Sequence, residues 1–221
     1  MRAKRLTGLV ASVVALWLLA ACAAPYQQVP DGIASSRTIR PTAIVLHWWG
    51  YTAGGNIRSL VDVLKGQTSY YDPNITKAQY DYNVTHAING HSLGVQVGIT
   101  RGGGVYQLTP QLDSYAAHAA CANDWAVGIE IEAAGPVDLG SDPAQFEAVV
   151  NTTVDLMRRF AIPPDGLLAP DGRSGSGVHS HKEVDVNCKF ADGVPAGNGK
   201  SDVDDDYLAL VKATIRNRGW G

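Results

Sequence analysis

The run Thr42-Ala43-Ile44-Val45-Leu46-His47, entered from Pro41, constrains the fold more than any other stretch of the chain. It is apolar and β-branched until the histidine, as expected of a strand buried inside a protein. A buried strand needs other elements around it, and the rest of the sequence supplies them. Ile57, Leu60, Val61 and Leu64 fall at i, i+3, i+4 and i+7 behind Asn56, which predicts a capped amphipathic helix. Residues 93–100 and 104–108 read as two strands joined by the turn Arg101-Gly102-Gly103. Residues 127–133 alternate apolar and acidic positions, as a strand with one wet face does. A long helix begins near Ser141, carries Phe146, Val149, Val150, Thr153, Met157 and Phe160 on one face, and stops before Pro163-Pro164. The acidic run Asp202–Asp206 suits the N-terminus of a last helix. Residues 66–92 read as loop. From Pro41 onward the chain is expected to form one mixed α/β domain, 41–221.

The residues before it read as an address. A basic start with Arg2, Lys4 and Arg5 leads into the apolar run Leu9–Ala21, too short and wrongly flanked for a spanning helix. Leu19-Ala20-Ala21-Cys22 resembles the bacterial lipobox, whose cysteine is acylated and becomes the new N-terminus. This predicts a signal peptide over 1–21, a lipidated Cys22 with its palmitate-type chains in a membrane, and a polar tether over 22–40. Each buried methylene of such an anchor contributes about 0.8 kcal/mol. Removing the signal takes three of the 18 basic residues and none of the 21 acidic ones, leaving a formal charge of −6. That balance argues against nucleic acid as a partner, because phosphate binding needs a basic stripe. The expected setting is extracytoplasmic, and the expected state monomeric.

The chemistry is to be sought among the histidines. His47 ends the buried strand. His179 and His181, two apart, would point to one side of an extended segment, and Cys188 follows. Imidazole and thiolate suit Zn²⁺, and three protein ligands with a fourth position open are the pattern of a catalytic site. A strand-end histidine is nonetheless commonly structural, and a free cysteine commonly a buried apolar residue. Glu130 and Glu132 share a strand face. A carboxylate there can pass a proton for a metallohydrolase, while a solvated face is the simpler reading, favoured for Glu132. His118 is either core or a polar group in the cleft.

Four segments in order carry a family resemblance: IVLHWWG, GVQVGITRGGGVYQLTP, AAHAACANDWAVGIEIEAAG and HSHKEVDVNCKF, over roughly 41–195. They resemble the zinc-dependent N-acetylmuramoyl-L-alanine amidases of type 2, the group of the phage lysozyme amidases and peptidoglycan recognition proteins. The resemblance implies a single mixed β-sheet flanked by helices, one zinc ion, and hydrolysis of the amide between N-acetylmuramic acid and L-alanine in peptidoglycan. It implies His47, His181 and Cys188 as ligands, with His181 preferred to His179, and Glu130 as the proton-transfer residue. Val95 stands where another branch has a tyrosine. His118, Trp48 and Trp49, with Tyr70 and Tyr71, become candidates to contact substrate.

Two departures stand out. Relatives often carry an oxyanion-stabilising lysine two residues before the third ligand, where this chain has Val186, and the stretch from His181 to Cys188 is one residue short. A pairing of Cys121 with Cys188 would also remove a ligand. These points leave open a catalytically silent peptidoglycan-binding protein on the same fold. A Cys–His peptidase using Cys188 or Cys121 is disfavoured, since neither cysteine begins a helix after a Gly-rich turn.

Overall fold

Along the strand that ends in His47, Ala43, Val45 and His47 face one way and Ile44 and Leu46 the other, and all five are buried. In the computed structural model, which describes residues 26–35, 37–65, 93–188 and 202–220, this strand is next to the edge of a six-stranded sheet. In chain order the strands are β1 (Gln27–Gln28), β2 (Ala43–Trp48), β3 (Val97–Ile99), β4 (Val105–Gln107), β5 (Ala126–Ile131) and β6 (Gly177–Ser180). The spatial order is β1-β4-β3-β5-β2-β6. Among these six described strands only β3 and β4 pair antiparallel, so the sheet is mixed. His47 lies level with Glu130 of β5, and Glu130 level with Gly98 of β3.

Among the described residues four helices cover the two faces: α1 (Ile57–Leu64), α2 (Pro143–Phe160), α3 (His181–Asn187) and α4 (Asp205–Asn217). Ile44, Leu46, Ile129 and Ile131 pack under Val149, Val150 and Met157 of α2 and Val211 and Ile215 of α4. On the opposite face Leu60 and Val61 of α1 join Trp49, Val95 and Leu108, while Val184 of α3 packs on Ala43, Val45 and Ala126. The expected α/β class, with one mixed sheet flanked by helices, is what the chain forms.

The helix ends follow local chemistry. Asn56 Oδ1 accepts from Arg58 N, and Asp142 accepts from Ala144 N and Gln145 N ahead of Pro143, whose missing N–H costs nothing there. Ala161 in the left-handed conformation closes α2 two residues before the prolines.

Two expectations are corrected. The stretch 22–40 is not a free tether throughout. Gln27 and Gln28 pair with β4, Tyr26 Oη donates to Asp155 at 2.8 Å, Ile33 is buried, and Ile39 N donates to Asp113 O. Its polar composition concealed this because a strand at a sheet edge is held by backbone hydrogen bonds, which leave no mark on hydrophobic periodicity. Glu132, expected on a solvated face, is fully buried. Its carboxylate accepts from Ala53 N at 2.6 Å, Gly55 N at 3.1 Å and Arg101 N at 2.9 Å, tying the loop after β2 to the β3–β4 turn. Glu132→Ala would strand three donors, and denaturant unfolding should show a loss of about 3 kcal/mol or more. The signal peptide, Cys22, Tyr70, Tyr71 and the whole loop expected over 66–92 lie outside the described residues. Among the described residues no helix is long and apolar enough to cross a membrane.

Candidate metal centre

Three buried side chains from distant parts of the chain meet at the C-terminal ends of β2 and β6. His47 Nδ1 lies 3.1 Å from His181 Nδ1, and Asp202 Oδ2 lies 2.8 Å from His181 Nδ1 and 3.7 Å from His47 Nδ1. Their exposures are 1, 7 and 6%, so all three are largely shielded from bulk solvent. His181 arrives because Ser180 ends β6 and starts α3 through a capping box with Glu183, which turns the chain after the strand. Asp202 arrives just ahead of α4, whose N-cap is Asp204. Between them Val203 is held at φ 52, a conformation that costs a β-branched residue about 1–3 kcal/mol and tends to persist where a site requires it.

The donor set fits a zinc ion. Tetrahedral ligands about 2.0–2.1 Å from zinc stand roughly 3.3 Å from one another, close to the spacings here. Two imidazoles and one carboxylate are ligands zinc accepts, and three from the protein leave a position for reactants. Burial opposes a charge on His181, yet hydrogen bonds to Asp185 and Asp202 outweigh it and push this imidazole up to about 9. His118 shifts the other way, well below the usual histidine range, through desolvation and then the neighbouring His47.

Glu130 stands beside His47 on the same face of the sheet, one strand over, and is half-buried. Cys188 is corrected: its sulfur is bonded to Cys121 across 67 residues, so it is not a thiolate ligand. The same bond withdraws both sulfurs from any Cys–His peptidase chemistry. It joins the short 3₁₀ turn Ala120–Asp124 to the end of α3. Cys121→Ser with Cys188→Ser should lower stability by about 4 kcal/mol for a loop of this length, read as a fall in the unfolding midpoint.

His179 does not share the site with His181, because the strand ends between them. Its Nε2 donates to Ser176 O at 2.7 Å and its Nδ1 meets Glu183 at 3.0 Å. Neither tryptophan presents an open face there. Trp49 is buried beside Tyr51, and Trp48, one residue out of phase with His47, packs against the core under α2. His118 lies against His47 rather than facing a cleft, with Nδ1 3.0 Å from His47 Nε2. Val186 is 69% exposed on α3.

Asp202 and Asp185 were not anticipated. The acidic run 202–206 reads as a helix start, and for Asp204 that is its use. For Asp202 the signal in the sequence is Lys200, two residues before it, the spacing at which the resemblance places a lysine ahead of the third ligand.

A family model described as N-acetylmuramoyl-L-alanine amidase matches residues 37–193. Among solved structures, the chain is similar to the N-acetylmuramoyl-L-alanine amidase LysC from Clostridium intestinale URNW. The match has 18% identity and a TM-score of 0.53, over 88% of this chain and 99% of that one. It is also similar to the endolysin amidase LysCS from the same organism, at 17% identity and a TM-score of 0.52, over 87% of this chain and 96% of that one. At these identities the likeness is one of fold. No curated protein sequence matches the chain.

Proposed function

We propose, from the premise that this chain belongs to the N-acetylmuramoyl-L-alanine amidase family, that it cleaves the amide between N-acetylmuramic acid and L-alanine with one zinc ion held by His47, His181 and Asp202. The observation that carries the ligand set is the convergence of two imidazole nitrogens and one carboxylate oxygen in a buried site. Zinc there would supply a Lewis acid that activates water and polarises the scissile carbonyl. Glu130, beside His47, takes the proton from the attacking water and returns it to the leaving amine nitrogen. With Asp202 as third ligand, the lysine that the family resemblance expects two residues earlier is Lys200, a cation suited to the developing oxyanion. The departure at Val186 then loses its force, and a silent binding role with it.

The substrate places the protein's work outside the cytoplasm, and a disulfide suits that setting. Cys22 is the lipid anchor in this reading. Four Cα steps separate it from Tyr26, where the chain is already docked, so at most about 14 Å of leash remains. Cys22→Ala should release the protein from membranes or leave it unprocessed.

The test is metal content with wall hydrolysis. Equimolar zinc, and chelator-sensitive release of new L-alanine amino termini from peptidoglycan, support the reading. Metal-free protein that hydrolyses wall in chelator would overturn the zinc site, and zinc-loaded protein that binds wall without hydrolysis would overturn the enzyme.

A further inference from the structure

We propose that His118 and Asp185 are positioning residues that set the same tautomer on His47 and His181, so that both rings turn Nδ1 towards the metal. The inference rests on the zinc reading above. Its first arm follows from which atoms can donate. The carbonyl of Ala126 only accepts, and it lies 3.2 Å from His118 Nε2, so that nitrogen carries the proton. The other nitrogen of the neutral ring, Nδ1, is then an acceptor, and it faces His47 Nε2 at 3.0 Å. His47 must donate from Nε2, which leaves its Nδ1 lone pair directed at His181 and Asp202. His118 is held for this task. Its backbone N–H donates to Asn123 Oδ1 at 2.8 Å, and its ring lies over Gly128, where an added Cβ would come within 2.9 Å of His118 Cγ.

The second arm is a carboxylate. Asp185 sits one turn after His181 on α3, with Oδ1 3.2 Å from His181 Nε2. An ionised carboxylate only accepts, so it keeps the proton on Nε2 and leaves Nδ1 for the metal. Asp185 is 4% exposed, and its Oδ2 has no hydrogen-bond partner among the described residues. Burying a carboxylate is costly unless it is paired, and His181 is the group that pairs this one. A helix that needed only stability would be better served by an apolar residue at position 185.

The experiment measures zinc affinity by chelator competition on the intact protein, with imidazole ¹⁵N spectra of the zinc-loaded form. Wild type should show Nδ1 ligation with Nε2 protonated on both His47 and His181. Asp185→Ala and His118→Ala should each bind zinc about 10–100-fold more weakly. They should also show mixed tautomers at His181 and His47 respectively. Asp185→Asn, nearly the same shape and still an acceptor, should recover part of the loss and guards against misfolding of the alanine variant. Unchanged affinity and spectra in the alanine and asparagine variants overturn the inference and leave the zinc site standing, as does Nε2 ligation in wild type. A wild type that binds no zinc overturns the zinc site and this inference together.

Discussion

Asp202→Ala should bind zinc at least about a hundredfold more weakly than wild type and lose wall hydrolysis with it. The loss should exceed the 10–100-fold that outer partners of metal ligands are worth, because Asp202 supplies a ligand atom itself. Its removal also takes away the only negative charge among the three converging groups, leaving two imidazoles 3.1 Å apart to receive a dication. Asp206→Ala, an exposed change in the same acidic run, should keep metal and activity. Equilibrium dialysis against zinc separates the two. The same measurement has a pH signature. Zinc must displace the proton that Asp185 and Asp202 hold on His181, whose pKa is about 9. Below that value apparent affinity should fall about tenfold per pH unit for each proton released, and above it flatten. An Asp202→Ala protein that keeps its zinc while Cys188→Ser loses it would return the third ligand to the sulfur.

Glu130→Gln should lower the hydrolysis rate by about 10²–10⁴-fold while zinc content and wall binding persist. The amide keeps the shape of the carboxyl group but accepts no proton near neutral pH. Glu132→Gln should leave the rate much closer to wild type, because Glu132 turns its oxygens to Ala53, Gly55 and Arg101. Its effect belongs to stability. Single-turnover release of L-alanine amino termini, with metal content measured in parallel, distinguishes a lost base from a lost metal. Hydrolysis near the wild-type rate in zinc-loaded Glu130→Gln would leave the proton carrier unassigned.

Features that depend on near neighbours were readable before the fold was known. The buried run ending in His47, the Asn56 cap, the helix entered from Asp142-Pro143 and the hairpin about Arg101-Gly102-Gly103 each rest on residues within a turn or two of each other. A period of two or 3.6 also says which side chains share a face, which is why Glu130 and His47 could be weighed as chemistry early. The edge pairing of Gln27 and Gln28 was not legible, since backbone hydrogen bonds carry it.

What only the tertiary structure decided is which distant partner each group meets. By sequence, Cys188 was available to a metal or to another sulfur. Strand order brings the turn holding Cys121 against the end of α3, and the sulfur is spent there. Glu132 alternated like a solvated residue, but the loop after β2 folds over it with three amides. Asp202 looked like one acid among several at a helix start, and the left-handed turn at Val203 separates its use from that of Asp204. Local periodicity sets which way a side chain points. What it points at depends on strand order and register, which join residues 134 and 21 positions apart in the chain.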